Sequence, residues 1–436
     1  MNNTLLKSIK CFLKEVGSLS KIPNAVTSIN TDSRSIQTGD LFIAIKGENF
    51  DGHKFIYDAL DKGACLAIAE EGFENIPNEY AKKIILVKSS LETYHRIAKI
   101  YRILVNPLCI GITGSSGKTT TKEIMKAALG DAYKVHATEA NYNNEIGVPK
   151  TILSMPEDTQ VLILEMAMRG LKEIELLSNT GNPNIALITN VGTTHIELLG
   201  SKDNIRRAKL EILCGITDYK GFLDLGSTLV IDKELYEFLT AREFVDPNTN
   251  EKIQAKNIYA FDSQANFKIT GLISEGINAD INAVAIVARL LGFKDEAIQE
   301  NLLKYNPGKG RGEFLEDSLG NIFIDETYNA NPEAVINSAN ALVMQFKEER
   351  KFAVIGDILE SEPSLITELF SKLKALESVD SDFTLIDARN RSIEDISTEL
   401  KSKLDPEKKN IVLVKASRGA KLERLFDHVI QRSVAT

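Results

Sequence analysis

The sequence predicts an α/β protein of three domains, and three observations carry that reading. A glycine-rich turn, Gly114-Ser115-Ser116-Gly117, links a short apolar run (Leu108 to Ile112) to a helical pattern. Downstream, apolar runs of strand length alternate with helical lengths, the signature of a parallel sheet covered by helices. The chain has 436 residues, more than a single hydrophobic core accommodates.

The first block, residues 1–85, carries short strand candidates at Leu41 to Ile45, Cys65 to Ala69 and Ile84 to Val87. The central block, 86–312, opens with a helical stretch from Leu91 to Leu104 that leads into the Leu108 strand. Behind the glycine turn, Ile124, Met125, Ala128 and Leu129 recur at helical spacing. Val161 to Leu164 and Ile185 to Ile188 read as strands, each followed by polar loop residues. Ile205, Ala208, Ile212, Leu213 and Ile216 fit one face of a helix over 202–216. The third block, 313–436, repeats the alternation with strands at Ile322 to Ile324, Phe352 to Ile355, Phe383 to Ile386 and Ile411 to Val414. Ligands of such sheets sit at the carboxyl ends of the strands.

Composition narrows the function. Hydrophobic residues make up 43% and charged residues 26%, with a net charge of −9, so no basic face for nucleic acid is expected. Met1 to Lys10 lacks the apolar core of a signal peptide, and no run reaches the length of a membrane span. A cytoplasmic monomer is expected. Cys11, Cys65, Cys109 and Cys214 are scattered, and read as buried reduced thiols.

The chemistry starts at the glycine turn. In strand–turn–helix context, Gly114, Ser115, Ser116 and Gly117 cradle phosphates with backbone N–H groups, and the helix N-terminus adds partial positive charge. Lys118 reaches the outer phosphates, and the Thr119 hydroxyl, followed by Thr120, suits Mg²⁺. The usual phosphate-loop rule places Gly five residues before Gly117, where this chain has Ile112. An ordinary Gly/Ser turn ahead of a helix is the bland alternative. Glu165 ends an apolar run and reads either as a Mg²⁺ ligand or as a carboxylate solvated at a strand end. His195, in the loop after the Ile185 strand, reads as a metal or phosphate ligand or as a structural histidine. Lys209, taken alone, reads as a surface lysine lying along an apolar face. Asn141, Asn143 and Asn144 offer amides to a polar substrate or build a turn. Pro307 to Glu313 reads as a hinge from which Arg311 swings onto a terminal phosphate. Asp325, Tyr328, Asn329 and Asn331 gather a carboxylate, a phenol and amides after a strand.

Taken together, these segments resemble the Mur ligase family of peptidoglycan synthesis over nearly the whole chain. Thr31-Asp32-Ser33-Arg34, Gly39 to Ala44 and Gly47 to His53 are similar to the family's N-terminal segment. Thr113 to Thr120 matches the family's own phosphate loop, which accounts for Ile112. Asn141 to Pro149, Glu165, and Thr189 to His195 with Gly200-Ser201 match the central domain. Asp325 to Pro332 resembles the D-alanyl-D-alanine-adding branch, and Gly356 to Glu360 and Val414 to Arg418 match the C-terminal domain. The resemblance implies a small α/β UDP-binding domain, a central parallel-sheet ATPase domain and a C-terminal Rossmann-like domain for the incoming dipeptide.

The implied reaction is ATP-driven amide formation between UDP-N-acetylmuramoyl-tripeptide and D-alanyl-D-alanine, through an acyl phosphate. The resemblance also implies ATP contacts from Arg311, Asn282 and Asp325, and two Mg²⁺ ions held through Thr119, Glu165, His195 and Lys209. Lys209 aligns with a lysine that the family carbamylates. Lys118, Lys209, His195 and Arg311 become the catalytic set. Ser33, Arg34, Asn141, Asn143, Asn144, Tyr328, Asn329 and Asn331 become the substrate contacts. Where the family has His-Asn before its final Asn, this chain has Asn278 and Ala279, leaving Asn282 to meet the adenine. The segment between Ile231 and Gly276 is short for the family. A sister ligase with another acceptor and a catalytically idle nucleotide binder are the competing readings.

Overall fold

The computed structural model describes residues 3–16, 26–47, 50–192, 196–359 and 361–430. His195 lies outside these residues, as do Glu48, Asn49, Thr193, Thr194 and Glu360 of the motifs above.

The predicted strands form, and they assemble into three sheets and a small ribbon. The first sheet runs Ile29–Asn30, Leu41–Ile43, Leu66–Glu70, Ile84–Val87, all parallel. The second orders its strands Asn257–Phe261, Thr228–Asp232, Ile185–Ile188, Leu108–Thr113, Val161–Glu165, Val135–Ala137. Five of these six are mutually parallel, in line with the alternating pattern. The third sheet sets Glu313–Glu316 antiparallel to Ile322–Glu326, followed by parallel Asn410–Lys415, Arg350–Ile355 and Phe383–Asp387. Tyr219–Lys220 and Asp224–Leu225 make the antiparallel ribbon.

The chain divides into two compact units. One comprises Met1–Gly114, Asp131–Val191 and His195–Tyr259; the other comprises Ser115–Gly130, Gly192–Thr194 and Ala260–Thr436.

Within the first unit, strand alternation sorts side chains onto two faces. Leu41, Ile43, Leu66 and Ile68 face one way and join Leu5, Ile9 and Leu13 of helix Asn3–Glu15. The same apolar core takes in Ile97 and Tyr101 of helix Ser90–Val105, and Leu162, Leu164 and Ile188 of the second sheet. Phe42, Ala44, Ala67 and Ala69 face the other way, onto Ile56, Ala59 and Leu60. Each fully buried Ile or Leu here contributes roughly 1.5–3 kcal/mol. Helix Ser90–Val105 has defined ends. The Ser89 hydroxyl accepts from Glu92 N at 3.2 Å, and Asn106 closes it in the left-handed conformation at φ 54°.

One predicted element breaks in two. The helix expected over 202–216 is α-helical only through Lys202–Leu210, then tightens to a 3₁₀ turn over Glu211–Gly215. A neighbouring helix, Glu173–Gly181, sets this break. The Glu211 carboxylate accepts from Lys172 N (2.7 Å) and Glu175 N (3.3 Å), capping that helix's first turn. Ser178 Oγ donates to Ile212 O at 2.5 Å, and a Cβ at position 215 would lie 2.1 Å from Ser178 O. Continuing the α-helix would forfeit these contacts. The cysteine expectation is corrected too. Cys109 is buried, but Cys11 and Cys65 are half-buried and Cys214 is exposed.

In the second unit, helix Lys118–Leu129 packs against helices Glu275–Leu290 and Asp295–Leu302. Asn301 Nδ2 donates to Ala128 O (3.0 Å), satisfying a carbonyl of the helix's last turn. The third sheet is covered on both faces. Helices Pro332–Gln345 and Pro363–Val379 lie on one face, Ile393–Lys403 and Leu425–Val429 on the other.

Candidate functional site

The glycine turn follows strand Leu108–Thr113 and opens helix Lys118–Leu129, as the sequence predicts. Two of its glycines are obligatory for different reasons. Gly114 has φ +153°, and a Cβ there would lie 1.8 Å from Thr189 Oγ1. Gly117 has φ +80°, caps the helix, and would drive a Cβ to 2.8 Å from Asp280 Oδ1. Ser115 Oγ accepts from Gly192 N at 3.0 Å, which fixes the loop from the side. Lys118 Nζ folds back toward Ser115 O at 3.4 Å. Ser116, Gly117, Lys118, Thr119 and Thr120 are half-buried. A helix start with its N–H groups beside a folded-back lysine is an anion site.

In the first unit, Glu165 ends its strand 2% exposed, which removes the solvated-strand-end alternative. Its backbone N–H donates to Thr138 Oγ1 (3.0 Å), and Asn143 Nδ2 donates to its Oε1 (2.9 Å). Asn143 is thereby the amide that orients the carboxylate. Asn144 does a different task, accepting from Gly147 N at 3.0 Å at the start of helix Gly147–Ser154. Asn141 is exposed. Lys209 is 1% exposed, so the surface-lysine reading is corrected. The α-helix ends one residue later, and its last three residues, Ala208-Lys209-Leu210, are buried. Ser33 is buried, whereas Arg34 is exposed and pairs with Asp32 through Nε (2.9 Å) and Nη2 (2.7 Å). That guanidinium draws the Asp32 carboxyl down to about 2.

In the second unit the segment after strand Ile322–Glu326 is held largely by its own groups. Asp325 is 1% exposed, and its carboxylate accepts from Gly310 N (3.1 Å), Thr327 N (3.1 Å) and Thr327 Oγ1 (2.6 Å). It therefore ties the expected hinge to the sheet. Asn331 caps helix Pro332–Gln345 through Ala334 N (2.7 Å), and Asn329 Oδ1 accepts from Ala330 N at 2.9 Å. Arg311 stacks on the Tyr328 ring at 3.6 Å, and Arg418 lies 5.2 Å from the same ring. Beneath them Lys415 Nζ donates to Glu326 Oε2 at 2.6 Å. Asn282 donates to Asp262 O and Gln264 O, both at 2.8 Å, and accepts from Asn266 Nδ2 at 3.2 Å. The structure thus gives its amide to the 262–266 loop. A cavity of about 310 Å³ sits at the carboxyl ends of Arg350–Ile355 and Phe383–Asp387, lined by Asp357, Arg391, Glu394, Lys421 and Arg424.

Sequence reasoning missed Asp280 and Tyr305, both buried. A signal for Asp280 was present: it precedes Ile281, Val284 and Val287 on the apolar face of a helix, where a charge needs a reason. Among the described residues no three His, Cys, Asp or Glu side chains converge as a metal cage. Magnesium needs none beside a phosphate, because it keeps waters and takes only one or two protein oxygens.

The chain's relatives are informative. Family models describing the Mur ligase family catalytic domain and the Mur ligase middle domain match residues 25–102 and 112–287. The UDP-N-acetylmuramoyl-tripeptide–D-alanyl-D-alanine ligase of Bacillus subtilis is 32% identical over 434 residues, 93% of each chain. The Synechocystis enzyme of the same name is 36% identical over 362 residues, 80% of this chain and 77% of its own. The crystal structure of MurF ligase from Thermotoga maritima in complex with ADP superimposes with a TM-score of 0.74 at 27% identity. It covers 93% of this chain and 97% of that one. MurF from Acinetobacter baumannii shares the fold with a TM-score of 0.75 at 24% identity, covering 97% and 98%.

Proposed function

This chain belongs to the Mur ligase family, and we propose that it joins D-alanyl-D-alanine to UDP-N-acetylmuramoyl-tripeptide at the expense of ATP. The observation that carries this is the phosphate loop Gly114–Thr119 in a chain similar end to end to ligases of that activity. The reaction runs in two steps. A carboxylate oxygen of the tripeptide attacks the γ-phosphorus of ATP, and ADP leaves, giving an acyl phosphate. The dipeptide amine then attacks the acyl carbon, loses a proton, and expels inorganic phosphate, leaving UDP-N-acetylmuramoyl-pentapeptide.

The protein's part is positioning and charge neutralisation. Backbone N–H groups at Gly114 to Thr119 hold the phosphates, and Lys118 leaves Ser115 O to neutralise the transferring phosphoryl group. Arg311, held flat on Tyr328, is the second cation for that charge. Mg²⁺, when bound, would supply Lewis-acid neutralisation of the phosphate charge. Thr119 and Glu165 would hold it, with His195 as a further ligand and Asn143 keeping the Glu165 carboxylate in one orientation. Lys209, enclosed at the end of its helix, would serve a second ion as a carbamate.

Residues 1–85 take the UDP end of the donor through Ser33 and Arg34, residues 86–312 the ATP, and residues 313–436 the dipeptide. The mixed acidic and basic lining of the C-terminal cavity matches a dipeptide zwitterion, with Tyr328, Asn329 and Asn331 as further contacts. From the two nucleotide substrates we infer a cytoplasmic site of action. No described helix is long and apolar enough to cross a membrane.

The test is phosphate release from ATP and Mg²⁺ with UDP-N-acetylmuramoyl-tripeptide, with and without D-alanyl-D-alanine. Release that needs both, with pentapeptide product by mass, is the expected result. ATP binding with no release under either condition would overturn the proposal.

A further inference from the structure

Helix Glu275–Leu290 brings one carboxyl group up against the phosphate loop. Asp280 is 5% exposed, and its two carboxylate oxygens lie 2.8 and 2.9 Å from where a Cβ on Gly117 would stand. Gly117 is the residue whose φ of +80° starts helix Lys118–Leu129. The Thr121 hydroxyl, fully buried one turn further on, also faces Asp280. The carboxyl group is thus wedged beneath the turn that must receive polyphosphate.

We propose that Asp280 is a positioning residue of the phosphate loop, and that the loop takes up a nucleotide only while this carboxyl group carries a proton. This rests on reading Gly114–Thr119 as the ATP site. The uncharged acid fills the space under Gly117 without placing a charge there. Its anion would set a full negative charge at the helix start whose positive end attracts phosphate. Burial pushes the Asp280 carboxyl up to about 8, so the protonated form dominates at neutral pH.

The elements packed against it carry further charged groups. On helix Lys118–Leu129, Lys122 and Lys126 both pair with Glu123, and Lys118 turns toward Ser115 O. Helix Asp295–Leu302 carries Asp295, paired with Arg289, together with Glu296 and Glu300, while helix Pro332–Gln345 carries Glu333. The buried Tyr305 phenol, which feels Glu123, Asp280 and Arg311, is pushed up to about 12.

The experiment is calorimetric titration of the intact protein with ADP and Mg²⁺ from pH 6.5 to 9.5, repeated in buffers of different ionisation enthalpy. ADP binding to the wild type should weaken above pH 8, approaching about tenfold per pH unit, with net proton uptake on binding near pH 8.5. Asp280→Asn, which mimics the protonated acid, should lose the pH dependence, its affinity at pH 9 equalling its own at pH 7. Equal, flat affinities for both proteins, or zero proton uptake by the wild type, overturn the inference while leaving the ATP site intact. Absence of ADP binding at every pH overturns the ATP-site reading and the inference together. The proton-uptake measurement uses the unaltered chain, so it stands even where the variant folds poorly.

Discussion

Lys415 and Glu326 meet at the carboxyl ends of adjacent strands, below the segment that carries Tyr328, Asn329 and Asn331. Their side chains are 8% and 11% exposed, and Lys415 Nζ lies 2.6 Å from Glu326 Oε2. Ser338 Oγ donates to the same carboxylate oxygen at 2.7 Å. Lys415→Met keeps most of the stem and removes the ammonium, so the carboxylate stays buried without its cation. Breaking a buried pair from one side costs about 3–5 kcal/mol, a large share of the roughly 5–15 kcal/mol that holds a domain together. Removing both charges, as in Lys415→Met with Glu326→Leu, strands nothing, because the Ser338 hydroxyl proton can turn to Ala334 O, 2.9 Å away. The double variant should fall within about 1 kcal/mol of the wild type, giving a coupling energy above about 2 kcal/mol. Hydrogen–deuterium exchange over Ile322–Glu326 and Asn410–Lys415 reads this sheet directly. The single variant should exchange on the order of 10²- to 10³-fold faster in those strands. Exchange within about fivefold of the wild type, or a double variant as fast as Lys415→Met, would refute the argument.

Four further outcomes are expected. Gly114→Ala must displace Thr189 and adopt a strained φ, so kcat/KM should fall by on the order of 10²-fold or more and the melting temperature should fall with it. Lys118→Ala should lower kcat by at least about 10³-fold, and retained turnover would remove Lys118 from the phosphoryl step. Lys209→Ala should cripple turnover and recover partly when a small carboxylate such as acetate is added; full activity without any additive would rule out the carbamate. Burial pushes the His95 imidazole, whose Nδ1 lies 2.6 Å from Thr180 Oγ1, down to about 4. The unfolded chain then binds that proton first, so stability present above about pH 6.5 drains away toward pH 4, by on the order of 3 kcal/mol. Urea midpoints measured against pH should show this acid limb in the wild type and a flatter one in His95→Leu.

What could be read from the sequence follows what is local. Strands such as Ile185–Ile188 are buried on both faces, so they stand out as unbroken apolar runs. The phosphate loop was legible because its glycines, lysine and threonine are contiguous. The split of the 202–216 helix was not, since its cause is Glu211 reaching across to Lys172 and Glu175. Nor could spacing reveal that Lys209 is enclosed, because burial depends on what the rest of the first unit lays over that turn. The asparagines make the same point. Asn143, Asn144, Asn282 and Asn331 look alike in sequence, yet one orients a carboxylate, one folds the turn ahead of a helix, one pins a loop and one caps a helix. Amides declare their role only through partners, most of them distant along the chain.

The apolar core that runs from Leu5 to Leu239 limits how such an enzyme can be rebuilt. Helix Asn3–Glu15 and one face of the first sheet have no interior of their own on that side; they borrow it from helix Ser90–Val105 and the strands beyond. A chimera joined near residue 86 would bare Ile9, Ile43 and Ile97 at once. A graft that exchanges this part between relatives should therefore carry the whole stretch to about residue 259, leaving out Ser115–Gly130 and Gly192–Thr194, as one inherited piece. Change in this part of the chain is then expected by point substitution inside that piece, not by exchange of an N-terminal cassette.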